Sequence, residues 1–329
     1  MENIQPDTQL EKLQQAEQLN TPVLFLVFNR LDTTKQVFDA IKQAKPTRLY
    51  IAADGARVNK EGESAQVQAV RDYVMANVDW DCEVKTLFRD KNLGCKCAVS
   101  GAITWFFEHE EQGIILEDDV VPHEDFFVFT QDMLEKYKND TRVMMITGTN
   151  YLGNSKLESP YFFSEHITIW GWATWRRSWS LYDVEMKEWD SLEAKNYFKS
   201  KYSSTYIWKH FKYTFDALNG DYMDTWDIQF VFSCLYNHGL CITPRVNLIS
   251  NVGVEGTHGN GLTDSHFIKT ESIGLDYINC HPSVKINYNY DNALHQLKNK
   301  KAVRYKQFVF LLKKIRVFNF LKKIKTKIK

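Results

Sequence analysis

The chain has 329 residues, 44% hydrophobic and 25% charged, ordinary globular values that exclude wholesale disorder. Basic and acidic residues number 41 each, but the 13 Lys and Arg between Lys298 and Lys329 meet no acid, so the body carries 28 basic against 41 acidic residues. An acidic body with a basic tail argues against nucleic acid as a partner of the body. The cysteines at 82, 95, 97, 234, 241 and 280 include no CxxC and suit neither a zinc site nor a small disulfide framework. They read as buried reduced thiols in a reducing compartment. The polar start, MENIQPDTQLEKLQQAEQLN, lacks the apolar core of a secretory signal, and no uncharged apolar run reaches the roughly 18 residues of a membrane span. A cytoplasmic protein is expected.

Residues 1–20 read as a polar extension. The run Val23-Leu24-Phe25-Leu26-Val27-Phe28 reads as a strand buried on both faces. A helix near Thr33–Ala44 follows, with Asp32 or Thr33 as its N-cap. Strands are then expected at Arg48–Ala53, Cys82–Phe88, Gly113–Leu116 and Val143–Thr147. Helices are expected at Ala65–Val78, Cys97–Phe107 and Phe126–Lys138. Such alternation predicts an open, mostly parallel α/β sheet with right-handed crossovers and helices on both faces. Ligands of these sheets sit at the carboxyl ends of the strands. Asn29-Arg30, Asp54-Gly55, Arg89 and Glu117-Asp118-Asp119 fall there. From Tyr151 aromatics become dense and turns frequent. Residues 151–291 read as an irregular second half on the same sheet, and 292–329 as a basic amphipathic tail.

Six constellations carry the chemistry. The strand Ile114-Ile115-Leu116 ends in Glu117, Asp118 and Asp119. Strand alternation turns Glu117 and Asp119 one way and Asp118 the other. One or two carboxylates with substrate phosphates hold Mg²⁺ or Mn²⁺; the alternative is a solvated acidic turn. Asn29-Arg30 has no GxGxxG after it, and the chain has no GxxxxGK[ST], so dehydrogenase and P-loop readings weaken. Trp172, Trp175 and Trp179 have helical spacing and read as core rather than a sugar platform, while Gly171-Trp172 offers backbone to a ligand. Asp224 and Asp227 flank Trp226 before an apolar run, as a general base or an N-cap. Four glycines within nine positions, 253 to 261, suggest a closing loop, in which His258 faces a metal, a phosphate or neither. In the tail, Phe308, Leu311, Ile315, Phe318, Leu321, Ile324 and Ile328 recur among Lys and Arg. That pattern fits an anionic membrane surface, with a calmodulin-like target helix or a solubilising tail as alternatives.

The order of these motifs resembles the GT-A-fold glycosyltransferases, in particular N-acetylglucosaminyltransferase I-like enzymes and bacterial polysaccharide-cluster transferases. The resemblance spans residues 22–262. It rests on the terminal Asn29-Arg30, on Asp54-Gly55, on Leu116-Glu117-Asp118-Asp119-Val120 with Pro122 and Asp125-Phe126-Phe127, on Gly171-Trp172, on Trp226-Asp227 and on Gly256-Thr257-His258-Gly259. It implies a Rossmann-like nucleotide-sugar half at 21–150 and an acceptor half at 151–291. It implies that Asp119 ligates Mn²⁺ (or Mg²⁺), that Asp118 bonds the ribose and that Glu117 contacts the sugar. Asn29, Arg30 and Asp54 would frame the nucleotide, most simply uridine, and Thr257 and His258 would meet the diphosphate. Gly171 and Trp172 would touch the acceptor. Asp227 matches the family's base, but Thr225-Trp226-Asp227-Ile228 lacks the acid that can follow it, which keeps Asp224 as an alternative. The implied reaction is inverting, metal-dependent transfer from a UDP-sugar to a glycan or lipid-linked acceptor at the inner face of the plasma membrane. A sugar-phosphate nucleotidyltransferase and a non-catalytic, membrane-tethered carbohydrate-binding protein are the competing readings; the missing Gly-rich loop counts against the former.

Overall fold

A computed structural model describes residues 18–153, 159–202, 205–220, 223–253, 269–274 and 276–297. Thr257, His258 and the tail 298–329 lie outside the described residues. The first half alternates strand and helix: β1 (Val23–Val27), α1 (Leu31–Ala44), β2 (Arg48–Ala53), α2 (Glu63–Ala76), β3 (Glu83–Phe88), α3 (Gly94–His109), β4 (Gln112–Glu117), a short β5 (Val120–Pro122), α4 (Glu124–Tyr137) and β6 (Val143–Thr147). The second half adds β7 (Tyr161–Ser164), β8 (Trp172–Trp175), the single turn α5 (Arg176–Trp179), α6 (Leu192–Lys201), α7 (Thr205–Asn219), α8 (Asp227–Tyr236), β9 (Leu240–Pro244), β10 (Ile249–Asn251) and α9 (Tyr288–Leu297). α6 and α7 occupy an aromatic stretch whose periodicity predicted no helix. Among the described residues no helix is long and apolar enough to cross a membrane.

Eight strands form one sheet in the order β3-β2-β1-β4-β8-β6-β9-β7. β1 to β4 run parallel to one another, and β6 runs parallel to β9. β8 enters antiparallel between β4 and β6, and β7 lies antiparallel on β9 at the edge. The result is the Rossmann-like, mostly parallel α/β sheet that the alternation predicts. The unbroken apolar run of β1 has a simple cause, since the strand is covered on both faces. Val23, Phe25 and Val27 face a core shared with α1 and α4, while Leu24 and Leu26 face a second core shared with α3 and α8. A third cluster, built on Trp189, Phe198, Phe215 and Phe232, binds α6 and α7 to the far side of α8.

Three expectations are corrected. Only the last of the three spaced tryptophans sits in a helix, because Trp172 and Trp175 belong to β8. Residues three apart on a strand face opposite ways. Trp175 accordingly enters the first core, and Trp172 and Trp179 the second, so all three are core. Next, α1 starts at Leu31 with Arg30 in the cap position and no side-chain cap, leaving Asp32 in the first turn, where its charge favours the helix dipole. Finally, of six free cysteines only Cys234 and Cys241 are buried; Cys97 and Cys280 are exposed.

Candidate active site

The chain steps from β1 to β2 to β3 on one side of β1, and β4 then returns to the other side. That reversal opens a crevice beyond the carboxyl ends of β1 and β4, where open α/β sheets take ligands. A cleft of about 980 Å³ lies there. Asn29 and Arg30 line it after β1, Asp54 after β2, Arg89 after β3, and the acidic triplet at the end of β4. Asp224 and Asp227 close it from the second half, together with Tyr151, His166 and Trp170.

The triplet and Arg30 form the floor. β4 ends at Glu117, so strand alternation stops there, and both aspartates of the following turn reach the same guanidinium. Arg30 Nη2 donates a close hydrogen bond to Asp118 Oδ1 and another to Asp119 Oδ2 at 2.9 Å. This corrects the expected opposition of Asp118 and Asp119. Burial works against the charge of Arg30, but the two carboxylates outweigh it and raise its pKa. The Asp118 carboxyl, 5% exposed as a residue, is pushed up to about 6 by burial, against the pull of Arg30. Glu117 is held well above the usual carboxylate range by burial, then by the charges of Asp119, Asp227 and Asp118. α8 thus brings the Asp227 carboxylate to bear on the end of β4.

Asp118 Oδ2 and Arg30 Nη1 are buried without a hydrogen-bond partner among the described residues. Buried polar atoms of this kind are normally satisfied, and a ligand in the cleft would satisfy them. No three His, Cys, Asp or Glu side chains among the described residues gather as metal ligands. The donor set fits a hard divalent ion held by one or two carboxylates, with substrate and water oxygens completing the shell. Asp119 has the exposure for this, its side chain being 20% exposed. It is also pressed by Gly253, where an added Cβ would lie 2.3 Å from Asp119 Oδ2. The pairing of β10 with β5 brings that glycine in, and Val252 N–H donates to the Asp119 carbonyl at 2.8 Å. Gly253 therefore serves close approach to the acid.

Other site residues act through neighbours. Asp54 accepts from Asn92 Nδ2 at 2.9 Å, from Leu93 N–H at 3.0 Å and from Gly94 N–H at 3.2 Å, so it fastens the start of α3 against the cleft. Gly55 beside it has no room for a side chain, since a Cβ would sit 2.4 Å from the Lys91 backbone carbonyl carbon. Asn29 Nδ2 donates to buried Glu63 at 3.0 Å, and Glu63 also binds the Arg57 guanidinium and backbone N–H. Arg57, which lines the cleft over the Phe28 ring, and its partner Glu63 carry no motif that singles them out.

The two candidate bases separate clearly. Asp224 accepts from Cys95 N–H at 3.2 Å and Lys96 N–H at 2.8 Å, capping the free amides at the start of α3. Asp227, the first residue of α8, makes no capping bond and accepts only a close hydrogen bond from the Thr225 hydroxyl among its described contacts. Asp227, after burial, also helps push the Tyr151 hydroxyl up. Gly171 and Trp172 do not line the cleft. Trp172 is 1% exposed and stacks on Trp226 with ring centroids 5.8 Å apart, because β8 lies inside the sheet. Gly171 has φ +56° and is packed against Ile249. Trp170, one residue earlier and edge-on to Tyr151 at 5.6 Å, faces the cleft instead.

No family model and no curated protein matches the chain. Among solved structures, the chain is similar to the inositol-1-phosphate CTP transferase of T. maritima, at 9% identity and TM-score 0.37 over 71% of this chain and 89% of that one. It is similar to a UDP-glucose pyrophosphorylase complexed with UDP-glucose, at 9% identity and TM-score 0.31 over 49% and 78%. It is also similar to the glycosyltransferase GlyE of Streptococcus pneumoniae, at 12% identity and TM-score 0.30 over 88% and 63%. None of these scores reaches 0.5, and none bears on the function of this chain.

Proposed function

We propose that the protein is a metal-dependent, inverting glycosyltransferase of GT-A type that moves a sugar from a UDP-sugar to a hydroxyl of a glycan or lipid-linked acceptor. One observation carries the reading: an Arg30-bound pair of carboxylates at the β1/β4 switch point shares one cleft with a third carboxylate, Asp227. Transfer needs charge control at the leaving diphosphate and a base on the opposite side of the sugar. Asp119 would hold Mn²⁺ or Mg²⁺, which would neutralise charge on the departing diphosphate. Arg30 then has both orphan bonding capacity and charge for the nucleotide end, and Asp118 keeps a free oxygen for the ribose. Asp54 positions the α3 start from beneath. Asp227 takes the proton of the acceptor hydroxyl as that oxygen bonds the anomeric carbon and the bond to the diphosphate breaks. Asp224, bonded to the Cys95 and Lys96 amides, serves as a cap and is not assigned this step.

The test is nucleoside diphosphate release from a panel of sugar nucleotides, with Mn²⁺ and with chelator, for the wild type and Asp119→Ala. Release that vanishes with chelator and in the variant is the expected outcome. Pyrophosphate release from a nucleoside triphosphate and a sugar phosphate, with none from sugar nucleotides, would identify a nucleotidyltransferase instead. Silence throughout, with no nucleotide bound in calorimetry, would leave a carbohydrate-binding protein.

A further inference from the structure

A second cavity, of about 510 Å³, adjoins the cleft between α7, α8 and α9. The two share walls, since His166, Ile167, Ile228 and Val231 face both. Ile228 directly follows Asp227 on α8, so the cavities meet one residue from the proposed base.

The chemistry of the second cavity differs from that of the cleft. Its lysine, Lys201, is bonded to Glu165 at 2.6 Å. Its other carboxylate, Asp291, accepts from the Ser164 hydroxyl and from Glu165 N–H at 3.1 Å. No arginine lines it among the described residues. A diphosphate would therefore find no spare guanidinium there, unlike in the cleft. The space is instead bounded by the aromatic residues Tyr202, Phe211 and Tyr288, by His210 and His295, and by the neutral polar groups of Thr214, Asn292 and Gln296. Tyr288 is 65% exposed, a large ring held in water at the edge of the cavity. An exposed ring beside neutral donors and acceptors suits a neutral sugar, whose C–H face lies on the ring while its hydroxyls bond amides and hydroxyls.

We infer that this cavity is the acceptor subsite and holds neutral sugar units of the acceptor glycan, with the reacting hydroxyl directed past Ile228 towards Asp227. The inference rests on the transferase reading and adds where the acceptor sits and what it is. In the transfer, the acceptor oxygen forms the new bond to the anomeric carbon, its proton passes to Asp227, and the nucleoside diphosphate leaves with the electron pair of the broken bond.

Saturation-transfer NMR of the full-length protein tests this with UDP and the octyl glycosides of glucose, galactose and N-acetylglucosamine, each below its micelle concentration. UDP protons report the cleft; sugar-ring and octyl protons report the second cavity separately. At least one ring signal is expected in the wild type. It should fall roughly tenfold in Tyr288→Ala/Asn292→Ala, while the UDP signal stays unchanged. Both substitutions are at exposed positions, and unchanged UDP binding reports an intact fold. A ring signal equal in the wild type and the double variant, or no ring signal with any glycoside, overturns the inference. Saturation confined to the octyl chain overturns it too and marks a lipid site. A wild type that contacts the ring but not UDP fails the transferase reading separately, and with it the acceptor role, leaving a plain sugar-binding cavity.

Discussion

Asp224 and Asp227 lie three positions apart and carry different burdens. Asp224 satisfies two amides that a helix start leaves open, so Asp224→Ala should cost about 1 kcal/mol in denaturant unfolding and leave kcat within a small factor. Asp227→Asn should do the reverse, lowering kcat for transfer by roughly 10²–10⁴-fold with the midpoint of unfolding unmoved. A full loss of activity in Asp224→Ala at normal stability would exchange the two assignments. Gly253 gives a further check. A methyl group there meets Asp119 Oδ2 at 2.3 Å and must push the acid aside. Gly253→Ala should then reduce metal-dependent release of nucleoside diphosphate on the order of 10²-fold, as small displacements of reacting groups do. Wild-type release rates in that variant would show that Asp119 is free to move without loss.

At the scale of elements, the second half depends on helices that pack on one another and on α8. Phe215 is fully buried between Trp189, Phe198 and Phe232, with ring centroids 5.0 to 5.3 Å away. Phe215→Ala should cost about 3–5 kcal/mol, and because α8 carries Asp227 the loss should reach activity as well. α9 is tied to β7 by Asp291, 6% exposed, whose carboxyl is pushed up to about 6 by burial although Ser164 and Glu165 N–H bond it. A carboxyl raised above its unfolded value of about 4 binds a proton more readily in the fold, so it adds stability as pH falls through 6 and withdraws it as pH rises. Asp291→Asn should remove that slope between pH 6 and about 4, seen as the difference from wild type in urea midpoints across the window. An unchanged slope would mean that Asp291 stays ionised in the fold.

For the whole molecule, charge is divided between parts. The body carries 28 basic and 41 acidic residues and should avoid an anionic bilayer, whereas residues 298–329 hold 13 basic residues and no acid. Deleting residues 298–329 should abolish binding to vesicles containing anionic lipid while leaving acceptor-free release of nucleoside diphosphate intact. Vesicle binding that survives the deletion would place the contact elsewhere. Sequence pattern alone was sufficient to place five strands and four helices of the first half to within three residues, though not the short β5. The runs at Arg48–Ala53 and Val143–Thr147 match β2 and β6 to the residue, because a strand covered on both faces is apolar along most of its length. It was equally sufficient to pick out the acids at the end of β4, since three carboxylates after a buried strand are a local anomaly. Local pattern could not say what those side chains touch. The amides that occupy Asp224 lie 128 and 129 residues away, and those that occupy Asp54 lie 39 and 40 residues away. The same limit explains Gly171 and Trp172, whose motif looks ligand-facing until β8 is inserted between β4 and β6. Composition and periodicity therefore determined strands β1 to β4 and β6, the sheet class and the acidic strand end, since burial and charge are written locally. Only the tertiary structure decided which carboxylate caps a distant helix, that Trp170 and not Trp172 lines the cleft, and where a second cavity opens, because those depend on which distant segments meet.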